Sequence, residues 1–208
     1  SNYYNKVKLV LLEKNVPFEE CVTLATPKSE ILSKSPLGKV PYLETEEGVL
    51  SESQVILNYI EECYPHQTPL LPANLFEAAK VQEVLTFIEL HLELVAREVY
   101  SEAFFGGKVS DGTKERVRKQ LARNVPAFAR LAKFSPFIAG AEFTLADCAA
   151  ICHLPLIVSA TKKIYGEDLL AQLPVGDYLK AMGQRPTVQK LNADRIANLP
   201  LMAAAYAK

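Results

Sequence analysis

Residues 3–14 place Val7, Val10, Leu11 and neighbouring leucines three and four apart, with Lys6, Lys8, Glu13 and Lys14 between them. That period predicts an amphipathic helix whose charged residues lie mostly in solvent. Asn15 and Val16-Pro17 end it. The pattern then shortens: Phe18 to Leu24 predicts a strand, Pro27 to Lys34 a short polar helix or turn, and residues 35–38 a loop. Tyr42 to Thr45 and Val49-Leu50 predict two strands joined by a tight hairpin at Glu46-Glu47-Gly48. Ser51 then reads as a helix N-cap with Gln54 as its capping-box partner. Val55, Ile56, Tyr59, Ile60 and Cys63 form the apolar stripe expected of that helix.

Residues 64–74 hold three prolines, and after them no strand pattern recurs. Phe76 to Glu102 predicts a long helix carrying Val81, Val84, Leu85, Ile88, Leu92 and Val95, broken at Phe104-Phe105-Gly106-Gly107. Thr113 to Lys133 predicts a second, kinked at Pro126. Thr144 with Asp147 forms a capping box opening a helix to about Thr161, bent at Pro155. Leu169 to Gln184 and Arg185-Pro186 to Ala197 supply the closing helices. The order α-β-α-β-β-α followed by helices alone predicts an α/β thioredoxin-like domain over residues 1–66, a linker at 67–74 and an all-α domain over 75–208. The first strand of the thioredoxin-like layout is missing ahead of Ser1. An open slot in the sheet leaves backbone groups needing partners, so a preceding segment outside this sequence is expected.

Composition narrows the classes. With 49% hydrophobic and 23% charged residues, the 208-residue chain is expected to fold rather than stay disordered. A net charge of −1 argues against a nucleic-acid partner held by phosphate neutralisation. No apolar run approaches the roughly 20 residues that span a bilayer, so no membrane partner is expected, and no signal peptide is visible. Cys21, Cys63, Cys148 and Cys152 include no C-x-x-C pair, which disfavours a disulfide framework and fits a reducing cytoplasm. Cys148, Cys152 and His153 lack further ligands at metal-binding spacing, so no metal is expected. His66 is expected in solvent and His153 in the core. His91 lies near Arg97 and Tyr100 in sequence. No Ser-His-Asp or Cys-His arrangement and no glycine-rich phosphate loop is evident.

Chemistry concentrates in residues 37–53. Val40-Pro41 interrupts the edge of a strand, since proline has no N–H to give. The following helix start offers amide groups that attract a carboxylate. Ser53 adds a hydroxyl there, Glu52 a negative charge and Lys39 a positive one. Such a set suits a small zwitterionic peptide: its ammonium at Glu52, its α-carboxylate at Ser53 and the helix start, and a second carboxylate at Lys39.

Val40-Pro41 before a hairpin, Glu52-Ser53 opening a helix, and the Thr144/Asp147 box together resemble the glutathione S-transferase family, from Ser1 to about Arg185. The resemblance implies glutathione as co-substrate, with Lys39, Val40, Glu52 and Ser53 binding it and the residue before a cis-proline pairing with its cysteinyl backbone. Ser1 stands six residues before Val7, the position of the catalytic serine in several classes. Its implied role is to donate to the glutathione thiolate, not to act as a nucleophile. A free thiol has a pKa of about 8.5, and lowering it by about two units takes about 2.7 kcal/mol. Tyr4, Arg97 and Tyr100 are implied candidates for the second-substrate pocket, and the Thr144/Asp147 box has a structural role. The family also implies a homodimer acting on an apolar electrophile. Two rivals share the fold. A zeta-type isomerase would show Ser-Ser-Cys where this chain has Ser1-Asn2-Tyr3. A non-catalytic module, as in the stringent starvation proteins, would not need the intact Lys39, Val40, Glu52 and Ser53 set.

Overall fold

The computed structural model describes residues 1–25 and 28–206. Helix α1 (Asn2–Glu13) begins at Ser1, whose hydroxyl oxygen accepts from the Tyr4 amide at 3.4 Å. Val7, Leu9, Val10 and Leu11 are buried as the apolar period requires. The lysines depart from expectation: Lys6, Lys8 and Lys14 are buried too. Each reaches a carboxylate on another element. Lys6 pairs with Glu89, Lys8 with Glu20 and Asp194, and Lys14 with Glu61. A helix enclosed on several sides has no solvent face, and its charges are buried only because they are paired.

Residues 18–24 form no strand, and Phe18, Val22 and Leu24 are exposed. A strand needs a neighbour for its backbone groups. The sheet among the described residues has two strands, and both lie elsewhere. Helix α2 (Ser29–Leu32) is one turn, and Pro27, where the sequence starts that turn, lies outside the described residues. Strands β1 (Tyr42–Thr45) and β2 (Gly48–Ser51) pair antiparallel, Tyr42 opposite Ser51 and Thr45 opposite Gly48. The Thr45 hydroxyl oxygen accepts from the Glu47 and Gly48 amides at 3.2 and 3.3 Å, closing the hairpin.

Ser51 therefore belongs to β2 and does not cap the next helix. Helix α3 (Ser53–Cys63) starts at Glu52, which supplies no side-chain cap. Gln54 turns instead to Asn58 and Gln82. The buried stripe is Ser53, Ile56, Leu57 and Ile60, while Val55 and Cys63 are exposed.

The remainder is helical. Helix α4 (Leu75–Phe87) is capped by Asn74, whose side chain accepts from the Phe76 and Glu77 amides. It widens into a π-helical turn at Ile88–Glu93 before α5 (Leu94–Arg97) and α6 (Tyr100–Phe105), which stops at Gly106 in the left-handed conformation. One long predicted helix is thus three segments around a π turn. Helix α7 (Asp111–Phe128) carries Pro126 near its end and stops before the expected Lys133. Beyond it lie Phe134 at φ 49° and a cis Ser135–Pro136 bond.

Helix α8 (Leu145–Tyr165) opens with the predicted box: Asp147 accepts from the Thr144 amide and hydroxyl. It is the buried centre, packed on α1, α4, the π turn, α6 and α9. Contrary to the reading of the sequence, α8 is long and apolar enough to cross a membrane. Here it is the core helix, with Asp147 and His153 fully enclosed. Helix α9 (Val175–Met182) is shorter than expected because Pro174 disfavours helix in the residue before it. Helix α10 (Pro186–Tyr206) begins with proline in its first turn, where no amide is lost.

Polar bridges tie the helical part to the first. Arg185 donates two bonds to Glu13, at 3.1 and 2.6 Å. Glu61 accepts from the Leu70 and Leu71 amides and from Lys14, and the Leu70 carbonyl accepts from the Leu145 amide at the start of α8.

Candidate active site

The first wall of the site is the turn into β1. Gly38, at φ 64°, swings the chain into Lys39, whose amide donates to Ser35 Oγ at 3.1 Å. Val40 is half-buried and its bond to Pro41 is cis. The Lys39 side chain is exposed, with no ion pair among the described residues.

The second wall is the start of α3. Glu52 sits at φ 67°, ψ 109°, a conformation that costs a side-chain-bearing residue about 1–3 kcal/mol. Such strain persists only where its surroundings enforce it. Its consequence is visible. The chain leaves β2, turns sharply, and presents the first amides of α3 without a side-chain cap, with Ser53 92% buried beside them. The Ser53 hydroxyl makes no hydrogen bond among the described residues. This is an open anion cradle.

Ser1 lies at the start of α1, exposed. Its oxygen accepts the capping bond from Tyr4, which leaves its O–H free to donate elsewhere. Lys6, about 7–8 Å further along α1 at 1.5 Å per residue, donates to Gln54 Oε1 at 3.3 Å. Both helix starts therefore lie around Lys6.

The three candidates for a second-substrate wall do not converge. The Arg97 guanidinium lies 5.3 Å from the centre of the Tyr100 ring and 5.1 Å from that of Tyr3. Tyr100 is almost wholly buried, its hydroxyl has no partner among the described residues, and burial drives its pKa far up. Tyr4 points elsewhere: its hydroxyl donates to Glu20, and burial and that carboxylate push its pKa far up. Sequence reasoning missed the polar cluster beside Ser1, made of Asn2, Tyr3, Glu89, Glu93 and His153. Its one local signal was Glu93 four residues before Arg97, a helical ion-pair spacing.

The cysteines are free. Burial pushes the Cys152 thiol up to about 12 and the Cys148 thiol well above its ordinary value, so neither is a thiolate near neutrality.

Comparisons with known proteins bear on the family and the fold. Residues 1–69 match the glutathione S-transferase N-terminal domain, and residues 111–181 match the glutathione S-transferase C-terminal domain. A glutathione S-transferase of Pseudomonas putida (strain F1) is 44% identical over 201 residues, spanning 96% of this chain and 91% of that protein. A solved structure of glutathione S-transferase III in apo form is 30% identical with a TM-score of 0.75, covering 93% and 92% of the two chains. A stringent starvation protein A homolog of Pasteurella multocida is 29% identical over 147 residues, 70% of this chain and 66% of that protein. The chain belongs to the glutathione S-transferase family, with its thioredoxin-like and helical fold. It is a glutathione transferase, and glutathione is its substrate.

Proposed function

We propose that the chain binds glutathione between residues 39–41 and the start of α3, lowers the pKa of its thiol with the Ser1 hydroxyl, and conjugates it to an apolar electrophile. The γ-glutamyl end meets Glu52 and Ser53, the cysteinyl backbone pairs with Val40, and the glycyl carboxylate meets Lys39. The observation that carries this reading is the strained Glu52 delivering the largely buried Ser53 to a helix start without a side-chain cap. Residues 1–66 then form the glutathione-binding unit, 67–74 the linker and 75–208 the helical unit against which the electrophile rests. Of the second-substrate candidates, Arg97 and Tyr100, which lie against one another, stay assigned to its wall, while Tyr4, turned to Glu20, is set apart from them. Exposed Leu75, Phe76, Leu90 and Leu94 offer apolar surface for two-fold pairing, in keeping with a homodimeric, cytoplasmic detoxification enzyme.

The test is a calorimetric titration of glutathione into the protein and into its Ser53→Ala variant, with conjugation assays on Ser1→Ala. Binding that Ser53→Ala weakens about tenfold, the loss of one charge-assisted bond, supports the site. Absence of binding at high glutathione would refute it and favour a module that keeps the fold without the chemistry.

A further inference from the structure

Asn2 follows Ser1 directly and has every polar atom of its side chain committed. Its Nδ2 donates to Glu93 Oε1 at 2.9 Å and meets His153 Nδ1 at 2.8 Å, and its Oδ1 accepts from Arg97 Nη2 at 3.0 Å. The Arg97 bond fixes which end of the amide is oxygen, because guanidinium only donates. His153 Nδ1 must then accept, so the ring proton sits on Nε2 and is donated to Glu89 Oε1 at 3.2 Å. His153 and Glu93 are fully buried, in the centre of α8 and in the π turn. Glu89 and Glu93 both belong to the π turn and, four residues apart, share one of its faces. Glu89 in turn pairs with Lys6, which donates to Gln54, the residue after Ser53. A continuous, partly buried chain of bonds thus runs from the neighbour of Ser1, through the core, to the neighbour of Ser53.

We propose that Asn2 and His153 are positioning residues for the thiolate end of the site: they clamp the first turn of α1, and with it the Ser1 hydroxyl, to the buried centre of the helical bundle. The inference rests on Ser1 being the thiolate donor. Burial does not require this arrangement, since a helix start at the surface satisfies its groups with water. Instead an exposed serine is backed by an amide whose orientation is set by three partners on three helical segments. Such indirect partners of a catalytic hydroxyl act on geometry, where a shift of about 1 Å can cost about 100-fold in rate.

Five variants decide it: Ser1→Ala, Asn2→Ala, their double, His153→Gln and His153→Asn, each checked for an unchanged circular-dichroism spectrum. Glutathione affinity is read by calorimetry, conjugation by kcat and KM, and the pKa of bound glutathione by thiolate absorbance. His153→Gln places an amide near Nε2 and loses the Asn2 bond. His153→Asn places an oxygen near Nδ1 and keeps it. The expected result is a fall in kcat of about tenfold or more for Asn2→Ala and His153→Gln, a raised pKa of bound glutathione, little change in its affinity, and recovery of most of kcat in His153→Asn. On a Ser1→Ala background, Asn2→Ala should cost nothing further. Were Ser1→Ala to lower kcat while Asn2→Ala left it unchanged, the positioning role would be overturned and the transferase reading would stand. An Asn2→Ala loss that adds fully to that of Ser1→Ala would also overturn it. A Ser1→Ala protein with wild-type kcat would remove the premise for both.

Discussion

Replacing Asp147 tests how the helical core is nucleated. The carboxylate is fully buried at the start of α8 and serves four donors. Oδ1 accepts from the Ile138 amide at 2.9 Å and the Tyr178 hydroxyl at 2.8 Å, and Oδ2 accepts from the Thr144 amide at 2.9 Å and hydroxyl at 3.2 Å. In Asp147→Asn the hydroxyls can rotate to accept, but the amides cannot. Whichever way the new side chain turns, its NH2 faces either the Ile138 or the Thr144 N–H. One buried backbone donor is stranded, at about 1–3 kcal/mol, and charge-assisted bonds become neutral ones. Against this, burial raises the Asp147 pKa more than the four bonds lower it, so removing the charge recovers part of a desolvation cost. The net expectation for Asp147→Asn is a loss of about 2 kcal/mol, a Tm lower by about 4–8 °C for a chain of this size. Asp147→Ala strands both amides and should cost about 4 kcal/mol. The pH dependence has a definite sign. With its folded pKa above the unfolded 3.8, the wild-type carboxyl binds a proton more readily when folded. Its stabilising contribution is full below 3.8 and falls as pH rises through the folded value. The deficit of Asp147→Asn is therefore largest in acid and narrows toward neutrality. Calorimetric scans across that range measure both effects. A variant as stable as wild type at every pH would refute the stranded-amide reasoning.

Glu52→Gly removes the positive-φ strain at the cost of glycine's extra backbone entropy. It should raise stability by about 1 kcal/mol while weakening glutathione binding, read by thermal melting and calorimetry on the same samples. Glu61→Ala leaves the buried Lys14 ammonium without its carboxylate and frees the Leu70 and Leu71 amides. A loss of about 3–5 kcal/mol is expected in urea unfolding. At Glu89, burial pushes the carboxyl up, but His153 and Lys6 outweigh it and hold the pKa below its ordinary 4.5, while burial draws the Lys6 ammonium down. The pair is charged because each partner is the other's counter-ion. Its stabilising contribution is present above pH 4.5 and lost as pH falls through the lower folded value. Glu89→Gln should flatten that acid limb of the stability curve.

Much of the fold was legible because its signals are local. The hairpin, the Thr144/Asp147 box and the apolar period of α1 and α4 each depend on residues within a few positions of one another. The failures share a cause. Residues 18–24 have strand composition, yet a strand is defined by its neighbour, and no described strand lies beside them. Ser51 resembles a cap in sequence, but pairing opposite Tyr42 holds it in β2 and passes the cap position to Glu52. The lysines of α1 looked solvated because Glu20, Glu61, Glu89 and Asp194, which bury them, come from four other segments.

The same distinction divides the site. Lys39, Val40, Glu52 and Ser53 lie within 15 consecutive residues, so the glutathione contacts proposed for them start from order alone. Asn2 and His153 are 151 positions apart. Neither residue type signals function by itself, since a lone buried histidine is ordinarily a satisfied core residue. The role proposed for them rests on their meeting beside Ser1, a contact between α1 and α8 that no local pattern announces. The division also says which properties should respond to which changes. On this reading, substitutions within residues 39–53 should alter what the site holds, whereas substitutions in the chain of bonds from Asn2 to Gln54 should alter how well the held thiol is aligned. Affinity and turnover should therefore separate along that line: Ser53→Ala acting mainly on glutathione binding, and Asn2→Ala mainly on kcat.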